Sequence, residues 1–242
     1  MSQSMMIAVM MRIVTVMTTI TNRRNRQQMK NGFLISFEGG EACGKSTQIK
    51  RFKEYLENRK VDNFFTREPG GTELGENIRN ILLHFGGKMT TEAECLLFSA
   101  SRAQIIEDVI KPKLAEGKVV VLDRYIDSFY AYQGYAGNLD LNALRSITNF
   151  AIKGTVPDLT FLLDIPYEEW MKRKAKDENL KDLDRMESKG KDYHDRVRKG
   201  YLEMAKAEPD RFVVINAMQT PDEIANEIAQ IFEERYQKML QK

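Results

Sequence analysis

The stretch that decides the fold is Phe33-Leu34-Ile35-Ser36-Phe37-Glu38-Gly39-Gly40-Glu41-Ala42-Cys43-Gly44-Lys45-Ser46-Thr47. Its apolar opening reads as a buried strand. The glycines that follow allow successive backbone N–H groups to point inward around a phosphate chain. A helical pattern from Lys45 onward then supplies the positive end of its dipole. Strand, glycine-rich loop and helix are the context in which G-x-x-x-x-G-K-[ST] acquires a mechanism: Lys45 reaches the outer phosphates and the Ser46 hydroxyl ligates Mg²⁺. Gly39, Gly40, Glu41, Ala42, Cys43, Gly44, Lys45, Ser46 and Thr47 are therefore expected to bind a nucleoside triphosphate, ATP being the expected one.

Outward from this loop the chain alternates. Short apolar runs at Phe33–Glu38, Asn63–Arg67, Val119–Asp123, Leu159–Asp164 and Phe212–Asn216 predict strands of a parallel sheet buried on both faces. Helical patterns cover Lys45–Arg59, Leu74–His84, Thr91–Glu116, Leu141–Ile152, Tyr167–Lys174, Met186–Ala207 and Pro221–Lys238. Right-handed crossovers turn this order into an α/β fold, a doubly wound five-stranded parallel sheet. Its ligands belong at the carboxyl ends of the strands, where the loop lies.

The bulk numbers narrow the partners. A formal net charge of +2 over 242 residues argues against a dedicated nucleic-acid binder. The two cysteines, Cys43 and Cys95, form no C-x-x-C pair, so neither a disulfide framework nor a zinc site is expected and a cytoplasmic location fits. Residues 1–30 differ from the rest. Met1 to Phe37 holds no Asp or Glu, Met5 to Ile20 is apolar around Arg12, and Arg23, Arg24 and Arg26 follow. The apolar run is shorter than the roughly 20 residues a membrane span needs. A basic, acid-poor transit peptide is a second reading. The favoured one is a dispensable extension ahead of a start at Met29, with the working domain over 31–242.

Further segments carry chemistry. Asp123 ends a strand facing the loop, where a carboxylate holds Mg²⁺ directly or through water, unless it is a cap. Arg124 projects into the same cleft, as a planar clamp on phosphoryl oxygens or as half of a structural ion pair. Phe98 and Arg102 share a helix face, and spacing alone would make them a core aromatic beside a surface cation.

The combination of F-E-G-x-E-x-x-G-K-S-T with Thr66-Arg67-Glu68-Pro69-Gly70-Gly71, Asp123-Arg124-Tyr125 and Ala131-Tyr132-Gln133-Gly134 resembles the thymidylate kinases, from about Gly32 to the C-terminus. The resemblance implies transfer of a phosphoryl group from ATP to dTMP with Mg²⁺, and typically a homodimer. It implies that Phe98 stacks on thymine, Arg102 bonds its carbonyl and Gln133 is a second contact to the base. Glu41 and Glu68 then lie around the sugar hydroxyl and magnesium, and Arg79 binds the dTMP phosphate. Two positions depart from the pattern: Phe129 stands where a small hydroxyl residue is usual, with Ser128 as a substitute contact, and Cys43 stands where Gly, Ala or Ser is usual.

Arg173 to Lys191 mixes Arg173, Lys174, Lys176, Lys181, Arg185, Lys189 and Lys191 with acidic residues. Such a stretch is a solvated, ion-paired surface or a mobile lid over bound phosphates. The phosphate loop has no cation besides Lys45, so the transition-state charge is expected from the lid, about residues 173–191. Arg173 and Arg185 are the candidates, with Lys176 and Lys181 behind them, as in the bacterial pattern of the family. Lys45, Arg124, Arg173 and Arg185 make up the expected catalytic set. The alternatives are a kinase for another nucleoside monophosphate and a nucleotide-binding regulatory module. A GTPase is disfavoured, because no N-K-x-D occurs and Asp123-Arg124-Tyr125-Ile126 lacks the glycine of D-x-x-G.

Overall fold

The structure, a computed structural model, describes residues 32–176 and 190–241. The expected N-terminal extension and most of the expected lid, Arg185 included, lie outside the described residues. β1 (Phe33–Gly39), β2 (Asn63–Arg67), β3 (Val119–Asp123), β4 (Leu159–Asp164) and β5 (Phe212–Asn216) form one five-stranded sheet in the order β2-β3-β1-β4-β5. Every pairing is parallel. Leu34, Ile35, Phe37, the four apolar residues of β3 and those of β4 are buried. Such runs without alternation are what a sheet covered on both faces requires. The chain leaves β1 toward β2 and β3 on one side and later fills β4 and β5 on the other, which opens a crevice at the carboxyl end of β1.

Helices cover both faces. α1 (Lys45–Asn58) buries Phe52 and Leu56, and the Phe52 ring lies 5.7 Å from that of Phe37 and 5.2 Å from that of Phe232 on the last helix. α2 (Glu73–His84) and α3 (Thr91–Ile105) begin at threonine caps, Thr72 and Thr90, whose hydroxyls accept from Gly75 and Ala93 N–H. The sequence predicts one helix from Thr91 to Glu116. The backbone instead widens to i→i+5 turns over Ile106–Ile110 before α4 (Lys111–Ala115). Pro112 sits just beyond and has no N–H to continue the regular ladder.

A second difference matters more for the site. The sequence reading placed no helix between β3 and Leu141, but α5 (Ile126–Phe129) runs into wide turns over Tyr130–Ala136. No side chain caps its start, so local signals are missing. Tertiary contacts hold it: Arg211 grips Asp127 through two bonds of 2.7 and 2.9 Å. The remaining helices are α6 (Leu141–Ile152), α7 (Tyr167–Lys176), α8 (Lys191–Ala207) and α9 (Pro221–Leu240), the last opened by a capping box between Thr220 and Glu223. No helix among the described residues is long and apolar enough to cross a membrane.

Candidate active site

The phosphate loop turns at the end of β1, where Gly39 has φ 142° and a Cβ would come within 2.5 Å of the Leu163 carbonyl. Only glycine fits there. Gly44, at φ 94°, leads into α1 and offers no side-chain cap, which leaves the first N–H groups of the helix to a ligand. Lys45 is 8 % exposed, and its Nζ donates to the Gly40 carbonyl at 3.1 Å. Ser46 and Thr47 face outward.

Asp123 ends β3 beside this loop, hydrogen-bonded strand to strand with Phe37 in register. Its Oδ1 is buried and has no hydrogen-bond partner among the described residues. An unmatched carboxylate oxygen at this place fits a hard cation, which Ser46 and Asp123 would hold together with nucleotide oxygens.

Arg124 has φ 65°, a left-handed backbone that a bulky residue adopts only when its surroundings impose it. The surroundings are on view. Its N–H donates to the Phe37 carbonyl at 3.0 Å and its guanidinium to the Gly39 carbonyl at 3.0 Å and Ser128 Oγ at 3.1 Å. It also pairs with Glu41 and lies 5.1 Å from the centre of the Tyr132 ring. The Tyr132 hydroxyl donates to the same Glu41 oxygen at 3.1 Å. Burial works against the charged form of Glu41, but Arg124 and Lys45 outweigh it and hold the carboxyl at about 2.

Glu38 was not expected in the site. It is fully buried and accepts from Tyr125 N–H at 2.8 Å, Ser128 Oγ at 2.5 Å and the Tyr201 hydroxyl at 3.1 Å. Burial, reinforced by the charge of Asp127, pushes its carboxyl up to about 7. The signal available in sequence was an acid at the end of an otherwise apolar strand. Tyr201 gave none, since it reaches Glu38 across 163 positions.

Beyond Arg124 the cleft opens into a cavity of about 230 Å³ lined by Phe98, Arg102, Phe129, Gln133, Glu68 and Arg79, among others. Arg102 is no surface cation: it is 2 % exposed, and its Nε donates to Glu68 Oε2 at 2.8 Å. The Phe129 ring lies 5.0 Å from its guanidinium carbon and 6.4 Å, edge to face, from Phe98. Arg102 Nη1 and Glu68 Oε1 remain buried without partners among the described residues. Burial pushes the Glu68 carboxyl up against the pull of Arg102. Arg79 donates to the Pro69 carbonyl at 3.1 Å, and Gln133 Nε2 donates to Glu94 Oε1 at 2.9 Å. Ser128 is occupied by Glu38, Arg124 and, at 2.7 Å, the Tyr201 hydroxyl.

Arg173 reaches the phosphate loop, with Nη1 at 3.5 Å from the Ala42 carbonyl. Its other donors go to Glu169 at 2.9 Å and the Ala217 carbonyl at 2.7 Å. Glu41 of the loop, Arg124, Phe98, Arg102 and Gln133 thus line one cavity, with Asp123 next to Arg124 in the chain at the end of β3.

A family model described as Thymidylate kinase matches residues 37–228. The chain belongs to the thymidylate kinase family. Among relatives, the thymidylate kinase of Chlorobium luteolum is 46 % identical over 211 residues, covering 85 % of this chain and 99 % of that protein. The thymidylate kinase of Thermoanaerobacter sp. strain X514 is 45 % identical over 188 residues, covering 78 % and 91 %. The crystal structure of thymidylate kinase from Ehrlichia chaffeensis superposes with a TM-score of 0.69 at 30 % identity, covering 84 % of this chain and 98 % of that one. Membership in the thymidylate kinase family carries general kinase activity with it, and the five-stranded parallel sheet with flanking helices is consistent with the fold of such kinases.

Proposed function

We propose that this chain transfers the γ-phosphoryl group of ATP to dTMP, giving ADP and dTDP. The observation that carries this reading is the continuity of the cleft. Glu41, Arg124 and Tyr132 on the phosphate side line the same cavity as Phe98, Arg102 and Gln133. ATP would lie in the loop Gly39–Thr47, with Lys45 on its outer phosphates. The dTMP base would stack on Phe98 and accept from Arg102, its phosphate would meet Arg79 and Arg124, and its sugar would lie toward Glu41 and Glu68. Bound Mg²⁺, held by Ser46 and Asp123, would neutralise charge on the phosphoryl oxygens.

A dTMP phosphate oxygen bonds to the γ-phosphorus as the bond to the ADP bridging oxygen breaks, and ADP leaves with that electron pair. The acceptor is already an oxyanion, because the second phosphate pKa is about 6, so no protein base is required. Positioning and electrostatics do most of the work. Arg124 is suited to it: its bonds to the Gly39 carbonyl, Ser128 and Glu41 fix the fork before substrate arrives. An ADP-release assay across dTMP, dUMP, dCMP, dGMP and dAMP tests the reading. Preference for a different monophosphate would make this a kinase of other specificity, and no turnover with any would make it a nucleotide-binding module.

The lid arginines remain part of the proposal. Arg173→Ala and Arg185→Ala are each expected to lower kcat at least about tenfold with little change in dTMP affinity, because a contact made only in the transition state lowers kcat. Wild-type turnover in both single variants and the double variant would remove the lid assignment and leave Arg173 as a link between Glu169 and the Ala217 carbonyl. The working molecule is proposed to be a cytoplasmic homodimer with no nucleic-acid or membrane partner. The exposed Phe150, at 83 %, is one apolar group such pairing would use, and light scattering reads the mass. A chain beginning at Met29 is expected to keep its Tm within a few degrees and its activity within about twofold. A larger loss would assign residues 1–30 a part in the fold.

A further inference from the structure

The thymine edge presents acceptor, donor, acceptor at O4, N3–H and O2. Arg102 Nη1, buried and unpartnered among the described residues, supplies a donor for a carbonyl. The N3–H needs an acceptor, and the neighbouring wall is Phe129, whose ring has none to give. Ser128, the nearest hydroxyl in sequence, is already engaged with Glu38, Arg124 and Tyr201. Gln133 lines the same cavity, and its amide carries both a donor and an acceptor end.

Which end faces the base is decided by Glu94. Both side chains are 3 % exposed, and Gln133 Nε2 donates to Glu94 Oε1 at 2.9 Å. With Glu94 Oε1 accepting from Nε2, the NH₂ end of the amide turns to the carboxyl and the carbonyl end turns away from it. We infer that Glu94 is a positioning residue that fixes the Gln133 amide with its oxygen toward the base, so that Gln133 accepts from thymine N3–H where Phe129 cannot. The pair thereby becomes a determinant of specificity. Cytosine presents a lone pair at N3 and an amino group at C4, and so opposes both the Gln133 oxygen and the Arg102 donor. The two residues come from different elements, α3 and the wide turns after α5, and meet across 39 positions. The wide-turned segment Tyr130–Ala136 therefore carries half of the device.

This inference rests on the dTMP reading of the site, and the test separates the two. The readout is the ratio of kcat/KM for dTMP to that for dCMP, with Tm measured on each variant. A wild type without preference for dTMP overturns the reading of the site itself. Given that preference, Glu94→Leu is expected to lower the ratio about fivefold or more, mainly by raising KM for dTMP, the effect of losing an oriented hydrogen bond. Glu94→Gln, whose amide oxygen still accepts from Gln133, is expected to stay within about twofold of wild type. Gln133→Leu should match Glu94→Leu, and the double variant should add nothing further, because one residue acts through the other. Should Glu94→Leu fail to fold, Glu94→Asp withdraws the acceptor by one methylene while keeping its charge, and is expected to lower the ratio about twofold to threefold. An unchanged ratio in folded Glu94→Leu or Glu94→Asp, or additive effects in the double variant, overturns the proposal. So does a Gln133→Leu ratio that stays at wild type while Glu68→Gln lowers it, which would make Glu68 Oε1 the acceptor.

Discussion

Lys45→Ala is expected to lower kcat by about 10²-fold or more, the loss that follows removal of a major electrostatic contact to transferring oxygens. The fold should survive it. The ammonium group touches the carbonyls of Gly40 and, more distantly, Gly39, and its contacts stay within the loop. No acid is left buried without its partner, because Glu41 keeps Arg124 and the Tyr132 hydroxyl. The Tm should therefore move by no more than a few degrees. The KM for dTMP should hardly change, since the proposed acceptor site around Phe98 and Arg102 lies in the cavity beyond Arg124. Steady-state kinetics beside a thermal melt read all of these. A kcat near wild type would remove the phosphate loop from the proposed reaction, and a collapsed Tm would show that the side chain supports the loop instead.

The contrast between what was legible in sequence and what was not follows from how far apart the interacting residues lie. The phosphate loop is local: strand, glycines, lysine and helix are contiguous, so periodicity and turn chemistry find it. Strand limits were legible for the same reason, since buried parallel strands are short uninterrupted apolar runs, and β2 to β5 lie where those runs lie. The segment after β3 was not legible. Tyr130 to Ala136 is aromatic and glycine-containing, its helix has no cap, and what fixes it is Arg211 on Asp127, 84 positions away. The same distance hid the Glu38–Ser128–Tyr201 cluster that braces Arg124. Spacing also misjudged Arg102: one helical turn from Phe98 looked like a surface position, whereas the Glu68 carboxylate at the end of β2 holds the guanidinium inside.

That burial sets the second large effect. Arg102→Ala is expected to cost about 3 kcal/mol of stability or more, because removing one partner of a buried ion pair leaves the other charge uncompensated. Here the abandoned partner is Glu68, whose side chain is 4 % exposed and whose second oxygen already lacks a partner among the described residues. Its carboxyl, raised by burial even with Arg102 in place, should then take up a proton at a higher pH still. A raised folded-state pKa means stability present at low pH and lost as pH rises through it. The Arg102→Ala protein should accordingly be least impaired in acid and fall further behind wild type as pH climbs past the ordinary carboxylate range. Binding of dTMP should weaken as well, since the donor to the base is gone. The two losses can be pulled apart. Arg102→Leu combined with Glu68→Leu replaces the pair by apolar groups, an exchange that is often neutral for stability, and should restore the Tm without restoring dTMP affinity by calorimetry. Were dTMP to bind Arg102→Ala as tightly as wild type, Arg102 would be a structural ion pair alone. Recovery of affinity in the double variant would lead to the same conclusion.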